Sequence, residues 1–366
     1  MLERFKPKTD DAKRVSYENL RIVAAAIFEK MGVSSNDAEE AADVLTMTDL
    51  RGVETHGVSN MLPAYIEQYR KGEINPNPSW KLERETAGTA VINADRGLGI
   101  ILGRHAMNMA INKAKDVGVG IVTMNNAGHL GAVGHFSMIA AEQDMVGMCA
   151  TAAGTGVLPT FGAEARFGTN PISIAALGKN EPPLLFDAAT SQIAGNKFIL
   201  ARRVGSNLLP GWIADSEGTP ILEETPVPEN NWYGSILPLG GTRENGSHKG
   251  YGLMIMVEVL GALLSDSVPG MFDTEDFESG YKHYFAAYNI AAFTEVDRFK
   301  NSMDKMLKTL RETNPAPNHD RVLYPGLAEY EEEQDRRANG IPLHKEVVDW
   351  FGNMVKELGV PQLKTM

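Results

Sequence analysis

Apolar residues recur at helical spacing in two stretches near the start of the chain. The first stretch places them three or four positions apart, at Leu20, Val23, Ile27 and Met31. Ser16 precedes it as an N-terminal cap and Gly32 follows it as a C-terminal cap. The second stretch repeats the spacing, at Ala38, Ala41, Ala42 and Leu45. This pattern predicts two consecutive helices, the second ending shortly before Thr55, His56 and Gly57.

The middle of the chain alternates short β-branched runs with longer helical patterns. Residues 90–92 predict a strand, residues 102–117 a helix and residues 120–124 a second strand, which together make a β-α-β unit. The same reasoning predicts strands at 146–150, 172–176, 184–186 and 284–293. It predicts helices at 190–202, 250–264 and 296–310.

These elements predict an α/β (α+β) chain with two domains. A central α/β domain with a mixed sheet spans 81–295 and binds the cofactor. A mainly helical domain combines 1–80 with 296–366, where the acidic run 329–335 is expected to be the solvated face of a helix.

Composition narrows the class of protein. The chain has 366 residues, 43% of them hydrophobic, and a formal charge of −12, which disfavours nucleic acid and anionic membrane as partners. Cys149 is the only cysteine, so an intrachain disulfide is excluded and a reducing compartment is indicated. The first ten residues lack the apolar core of a secretion signal, and the apolar run 253–264 is too short to span a bilayer. We therefore predict a cytoplasmic protein that acts on a small molecule.

Four further motifs carry polar groups suited to a ligand. His248 and Lys249 lie between glycines at the start of a predicted apolar helix, where a cation and the helix dipole favour an anion. Asp187 ends a predicted strand and can accept hydrogen bonds from ribose hydroxyls or cap the following helix. Residues 169–171 form a Thr-Asn-Pro turn. Finally, the loop 125–134 leaves the end of a strand and contains His129 between glycines.

A dinucleotide-binding fingerprint is suggested by Gly97, Gly99 and Gly103, but the match is poor. The spacing is loose, and Asp116 precedes the second strand, whereas the fingerprint's acidic residue closes it. Tight helix packing explains these glycines better, so a Rossmann fold is not predicted.

Taken together, the segments around Thr55–Gly57, Thr169–Pro171, Asp187–Ser191 and His248–Gly250 resemble the malate/L-lactate dehydrogenase family that is distinct from the Rossmann-type dehydrogenases. This family includes ureidoglycolate, diketogulonate and sulfolactate oxidoreductases, and the resemblance extends from about Tyr17 to about Leu343. It implies a non-Rossmann mixed-sheet fold and a homodimer or higher oligomer. It also implies hydride transfer between NAD or NADP and a 2-hydroxy acid or its 2-oxo counterpart.

Hydride transfer to or from an alcohol needs a group that moves the hydroxyl proton, and histidine suits this near neutral pH. His129 is the first candidate and His56 the second; sequence alone does not decide between them. The resemblance implies that Thr55 and Asn60 bind substrate. It implies that the cofactor contacts Thr169, Asn170, Asp187, Ala188, Ala189, Thr190, His248, Lys249 and Gly326.

Several positions depart from the family pattern. Asn60 stands where relatives usually have an arginine that binds the substrate carboxylate. Either another cation, such as Arg51 or Arg166, binds that carboxylate, or the substrate is not a simple 2-hydroxy acid. Ala152 and Ala153 replace polar residues on the cofactor side, and Gly326 is followed by Leu-Ala instead of Glu-Arg.

Two other classes of function stay open at this point. One is a cofactor-independent isomerase or lyase in which His56 and His129 shuttle protons; the other is a binding protein that has lost turnover. A metal enzyme is disfavoured because His129 and His135 lack the spacing of a helical ligand pair. No metal is predicted.

Overall fold

The computed structural model describes residues 3–152, 154–229, 234–272 and 280–366. Ala153 therefore lies outside the described residues. The described strands are β1 Ala12–Val15, β2 Lys81–Glu85, β3 Thr89–Asn93, β4 Val119–Ala127, β5 Met145–Ala152, β6 Ile172–Ala176, β7 Leu184–Ala188, β8 Tyr281–Asn289 and β9 Ile341–His344. The described α-helices are α1 Tyr17–Lys30, α2 Ser35–Leu50, α3 Val58–Lys71, α4 Gly99–Val117, α5 Gly134–Ala141, α6 Asn196–Val204, α7 Ser247–Val257, α8 Val296–Arg311, α9 Leu327–Asn339 and α10 Lys345–Leu358.

Seven strands form a mixed sheet in the order β2-β3-β4-β8-β5-β6-β7. Within it β3 and β4 are parallel and are joined through α4, which is the predicted β-α-β unit, while the other pairs are antiparallel. Gly120 allows α4 to pack closely on β4, because a Cβ there would overlap the carbonyl of Ala110. The predicted mixed-sheet, non-Rossmann fold is confirmed.

The first two helices form as their pattern predicts. Ser16 and Ser34 cap α1 and α2 by accepting hydrogen bonds from the backbone N–H groups of Asn19 and Asp37. Their apolar faces share one hydrophobic core with α3 and α10. The amino-terminal helices therefore pack against a carboxy-terminal helix, and β1 pairs with β9 beside them.

Two predicted boundaries are wrong, and local hydrogen bonds explain both. The helix predicted at 190–202 begins only at Asn196, because Thr190 uses its hydroxyl on the carbonyls of Thr169 and Asn170. The strand predicted to reach residue 293 ends at Asn289, whose side chain caps a short 3₁₀ turn.

The predicted helix at 250–264 is present, but it changes its winding along its length. It begins at Ser247 and continues beyond α7 as a π-helical turn, Glu258–Ala262, and a 3₁₀ turn, Leu263–Ser265. None of the described helices combines the length and the apolar character needed to cross a bilayer.

The division into two domains stays a prediction. The packing of α8 bears on it, because Met303 and Leu307 share a core cluster with Ala176 of β6 and Leu327 of α9. Helix α8 thus packs on the sheet, although the prediction grouped its residues with the helical segments.

Candidate active site

His129 lies two residues beyond the end of β4, at the point where the chain leaves the sheet. Its Nδ1 accepts a hydrogen bond from the backbone N–H of Gly131 at 3.1 Å and lies 2.7 Å from the hydroxyl of Tyr65 on α3. The ring of Tyr281 meets the His129 ring edge-on at 5.3 Å between centroids. Groups from β8, α3 and the loop after β4 therefore hold this imidazole on three sides.

His56 lies in the turn between α2 and α3, next to Gly57, the N-terminal cap of α3. Its Nδ1 is 2.9 Å from the hydroxyl of Thr55. The buried carboxyl group of Asp49 accepts a hydrogen bond from the backbone N–H of Val58 at 2.7 Å, which fixes the first turn of α3. A Cβ at Gly57 would overlap that carboxyl group, so the turn needs glycine here.

Arg336 of α9 fixes the same turn from the other side. Its guanidinium donates to the carbonyl of Asp49 and to the carboxylate of Glu54, both at 2.6 Å, and to Glu332 at 3.0 Å. Only 3% of its side chain is exposed. Burial raises the pKa of Asp49 to about 8, with the charge of Glu54 adding to the effect.

The two histidine rings stack on each other and line the same cavity. The rings are nearly parallel, 13° apart, with centroids separated by 5.7 Å. The cavity measures about 350 Å³, and its lining includes His56, His129, Thr169, Asn196 and Tyr281. The structure therefore brings together both histidines predicted to move protons.

Both imidazoles are neutral at neutral pH in this setting. Burial and, to a smaller extent, the nearby positive charge of Lys197 together lower the pKa of His56 to about 4. Burial lowers the pKa of His129 well below its usual range, with smaller effects from His56 and His283. Each neutral ring therefore carries one N–H and one lone pair, and in His129 the lone pair of Nδ1 is already engaged by Gly131 and Tyr65.

The predicted substrate residues Thr55 and Asn60 lie beside the cavity, and neither of them lines it. The Asn60 amide donates to the carbonyls of Glu54 and Thr55 and accepts a hydrogen bond of 2.9 Å from Arg203 of α6. Asn60 is 7% exposed, so its polar atoms already serve the turn that carries His56. Their role in binding substrate stays a prediction.

The two arginines considered as replacement cations are both paired elsewhere. Arg51 lies 3.3 Å from Glu333, and Arg166 pairs with Glu164 at the surface. The cation whose charge acts on His56 is Lys197, which sequence reasoning missed. Among the described residues the Lys197 side chain makes no hydrogen bond or ion pair, and its Nζ lies 5.0 Å from the centre of the Phe5 ring.

Asp187 lies near the end of the edge strand β7, open to solvent on one side and crowded by protein on the others. One carboxylate oxygen accepts a hydrogen bond of 2.7 Å from the backbone N–H of Gly134, at the start of α5. The surrounding protein raises the pKa of Asp187 to about 6, while the Gly134 hydrogen bond and Arg51 lower it. At neutral pH it is an accessible carboxylate, and Ala188 and Ala189 continue the chain from it.

Main-chain contacts bring the other predicted cofactor segments beside Asp187. The N–H of Leu239 donates to the carbonyl of Thr190, and Gly250 packs directly on the Leu239 backbone, where a Cβ would not fit. This places the first turn of α7, with exposed His248 and Lys249, next to the segment that follows β7.

Not every predicted cofactor residue is free to contact a ligand. Asn170 is fully buried and donates to Glu258 at 2.8 Å, and Thr190 bonds the backbone of the turn at Thr169. Gly326 packs on β7, where a Cβ would come within 2.8 Å of the carbonyl of Pro183. These three residues shape the site, whereas Thr169 lines the cavity.

Tyr65, Tyr281, Asn196 and Arg336 join the site without having been predicted. Tyr65 is buried in the hydrophobic core and Tyr281 is half-buried at the start of β8, and no motif marks either residue. Asn196 follows a glycine, and its amide donates 2.8 Å to the carbonyl of Thr55. Across the described ranges no group of three His, Cys, Asp or Glu side chains is placed to hold a metal ion.

Comparison with known proteins identifies the class to which this fold and site belong. The family model described as malate/L-lactate dehydrogenase matches residues 15–351. The malate dehydrogenase of Pyrococcus abyssi is 36% identical, with 96% of each chain covered, and the L-sulfolactate dehydrogenase of Methanocaldococcus jannaschii is 35% identical, with 94% of this chain and 96% of the other covered. A ureidoglycolate dehydrogenase (NAD(+)) of Escherichia coli is 29% identical over 92% of this chain and 95% of its own.

A solved structure shows the same fold over almost its whole length. Malate dehydrogenase from Entamoeba histolytica superposes with a TM-score of 0.91 at 34% identity, covering 96% of this chain and 99% of that one. The chain belongs to the malate/L-lactate dehydrogenase family. The predicted family and the predicted class, a dehydrogenase of hydroxy acids, are confirmed.

Proposed function

We propose that this protein interconverts a 2-hydroxy acid and its 2-oxo counterpart by exchanging a hydride with NAD(H) or NADP(H). The observation that carries the proposal is that His56 and His129 stack on each other and line one cavity. The cavity is lined at the end of the sheet where β4 ends and β8 begins, and Asp187 lies near the end of β7 at the same end of the sheet. Proton-transfer groups and polar groups for a dinucleotide thus share one side of the molecule.

The residues around Asp187 fit a nicotinamide dinucleotide. Its accessible carboxylate can accept hydrogen bonds from ribose hydroxyls, while Lys249 and the first N–H groups of α7 suit a pyrophosphate. Gly250 and Gly134 keep the backbone free of side chains at this point. When bound, the cofactor would supply or accept the hydride.

Within the cavity, His129 would move the proton of the substrate hydroxyl. Tyr281 and the loop after β4 orient its ring, and His56 faces it as a second polar group for the substrate. Lys197, close enough to act on the pKa of His56, would attract the substrate carboxylate in place of the arginine missing at position 60.

We also propose a homodimer or higher homo-oligomer located in the cytoplasm. Five large apolar side chains are exposed along α7 and the turns that continue it: Ile255, Met256, Val259, Leu263 and Leu264. A second copy of the chain covering them would remove this apolar surface from water. The buried Cys149, the only cysteine, supports a reducing compartment.

The test is calorimetric titration of the purified protein with NADH and NADPH, followed by absorbance-monitored turnover with a panel of 2-oxo acids. We expect one dinucleotide to bind and at least one 2-oxo acid to be reduced. The Lys249→Ala variant should bind that dinucleotide roughly tenfold or more weakly, the cost of losing one charge-assisted contact. Failure of both dinucleotides to bind would refute hydride transfer and favour cofactor-independent proton chemistry.

A further inference from the structure

The hydrogen bonds around His129 fix more than its orientation. A backbone N–H can only donate, so the contact of 3.1 Å from Gly131 requires Nδ1 to be an acceptor. The neutral ring must then carry its proton on Nε2. Among the described residues no hydrogen bond involves Nε2, which leaves this N–H for a ligand in the cavity that His129 lines.

Tyr65 is the second partner of the same nitrogen. Its hydroxyl lies 2.7 Å from Nδ1, and because that nitrogen accepts from Gly131, the phenol must donate to it as well. Tyr65 is fully buried and does not line the cavity. Among the described residues His129 is the only hydrogen-bond partner of the Tyr65 hydroxyl.

From this geometry we propose that Tyr65 is a positioning residue that holds His129 as the Nε2–H tautomer and replaces its proton during the reaction. The inference rests on the proposed 2-oxo acid reduction and adds one residue to it. Burial raises the pKa of Tyr65 well above 10 and lowers that of His129, which agrees with a neutral pair at rest.

The proton steps balance as follows in the direction of reduction. The carbonyl carbon of the substrate accepts the hydride with its electron pair, and the C=O π pair moves to the oxygen. The Nε2–H bond of His129 breaks and its proton bonds that oxygen, while the Tyr65 O–H bond breaks and its proton bonds Nδ1. The negative charge ends on the Tyr65 oxygen. After product release, solvent in the cavity protonates Nε2 of His129, and the Nδ1–H bond breaks as its proton returns to the buried Tyr65 oxygen. A proton on Nδ1 would face the N–H of Gly131, and two donors repel each other. This repulsion favours the return of Tyr65 and His129 to their resting protonation states.

A matched pair of variants separates this role from the loss of a buried hydroxyl. Tyr65→Phe removes the proposed donor. Tyr69→Phe removes a hydroxyl one turn later on α3 that is buried and has no hydrogen-bond partner among the described residues. We expect kcat to fall roughly 10²-fold in Tyr65→Phe with KM unchanged, and to stay at the wild-type value in Tyr69→Phe. Equal rates in Tyr65→Phe and wild type would overturn the proposal.

The tautomer itself is measured without turnover, by ¹⁵N NMR of histidine-labelled protein with the His129 signals assigned from their loss in His129→Gln. We expect a pyridine-type Nδ1 and a protonated Nε2 in the wild type and in Tyr69→Phe. In Tyr65→Phe, where Gly131 alone favours this tautomer, we expect a smaller share of it. A pyridine-type Nε2 in the wild type would overturn the proposal even if Tyr65→Phe does not fold. Absence of turnover with every 2-oxo acid would instead refute the proposed reaction and leave the NMR result to decide the tautomer.

Discussion

At the scale of single residues, the site depends on one imidazole with a fixed proton. His129 is held by Tyr281, Tyr65 and Gly131, and in the proposed reaction this preorganisation would let a neutral histidine serve as a proton donor. His56 is oriented through Thr55 and the scaffold behind it. The two rings face each other, yet their supports come from different elements and differ in kind.

His129→Ala should lower kcat by about 10² to 10⁴-fold, because the group that moves the hydroxyl proton is removed. Circular dichroism and the melting temperature would check that the fold persists. His319→Ala provides the comparison, because His319 is exposed on the loop between α8 and α9. If His129→Ala turns over as fast as His319→Ala, another group moves the proton and His56 becomes the leading candidate.

Lys197→Met should raise KM for the 2-oxo acid by about 10- to 100-fold, because a charge-assisted contact to the substrate carboxylate is lost. The affinity for the dinucleotide should not change. Arg166→Met tests the alternative cation, and we expect it to be silent because Arg166 pairs with Glu164 at the surface. A rise in KM in Arg166→Met alone would assign the carboxylate contact to Arg166.

At the scale of elements, the junction of α2 and α3 is the part of the site most sensitive to its surroundings. Asp49 accepts from Val58, Gly57 leaves room for its carboxyl group, and Arg336 reaches the same turn from α9. The turn that presents His56 is therefore built around one buried acid and one buried cation, and stabilising the turn also positions the imidazole.

Asp49→Asn should flatten the pH dependence of the free energy of unfolding between about pH 4 and pH 8. The pKa of Asp49 is raised to about 8 in the folded chain, against about 3.9 when unfolded. In this window the folded state keeps a proton that the unfolded state has lost, so wild-type stability falls as pH rises and levels off above pH 8. In the Asp49→Asn variant the side-chain amide can still accept the hydrogen bond from the Val58 N–H, but it does not titrate. The stability of the variant should therefore not fall with pH in this window. Urea denaturation at a series of pH values would measure it, and parallel curves for both proteins would contradict the raised pKa.

The same junction shows where sequence reasoning succeeds and where it stops. Apolar spacing and caps predict α1, α2 and α4 because these signals lie within one or two turns of the helix they define. Arg336 lies 287 positions from Asp49, so no local pattern connects the two residues. The start of α6 was predicted too early because the Thr190 hydroxyl donates to the carbonyl of Asn170, a contact that forms only when the chain folds.

The site itself was predictable only in part for a related reason. His129, Asp187 and Lys249 have glycines or strand ends beside them, and these local cues mark places where a backbone can approach a ligand. Tyr65 has no such cue, since a buried tyrosine on a helix has the same sequence signature as a core residue. Its proposed role depends on folding, which brings it next to His129 although the two residues are separated by 64 positions in the sequence.

At the scale of the whole molecule, the proposed cofactor site and the proposed oligomer face share one helix. Lys249 lies in the first turn of α7, and the exposed apolar residues Ile255, Met256 and Val259 follow along α7 and into the π-helical turn beyond it. A second copy of the chain that covers the apolar surface of α7 would also fix the position of its first turn, which carries the proposed dinucleotide contacts. Assembly and cofactor binding should therefore be linked.

Val259→Asp should convert the proposed oligomer to monomers, because a charge placed in an apolar interface loses its hydration without gaining a partner. Light scattering coupled to gel filtration would measure the mass, and Leu222→Asp, at an exposed apolar residue on a loop outside α7, is the matched control. The monomer should also bind the dinucleotide more weakly, since α7 loses its cover. If wild-type protein elutes at the 39.8 kDa of one chain, the oligomer is refuted; if Val259→Asp dissociates but binds the dinucleotide as tightly as before, assembly and cofactor binding are independent.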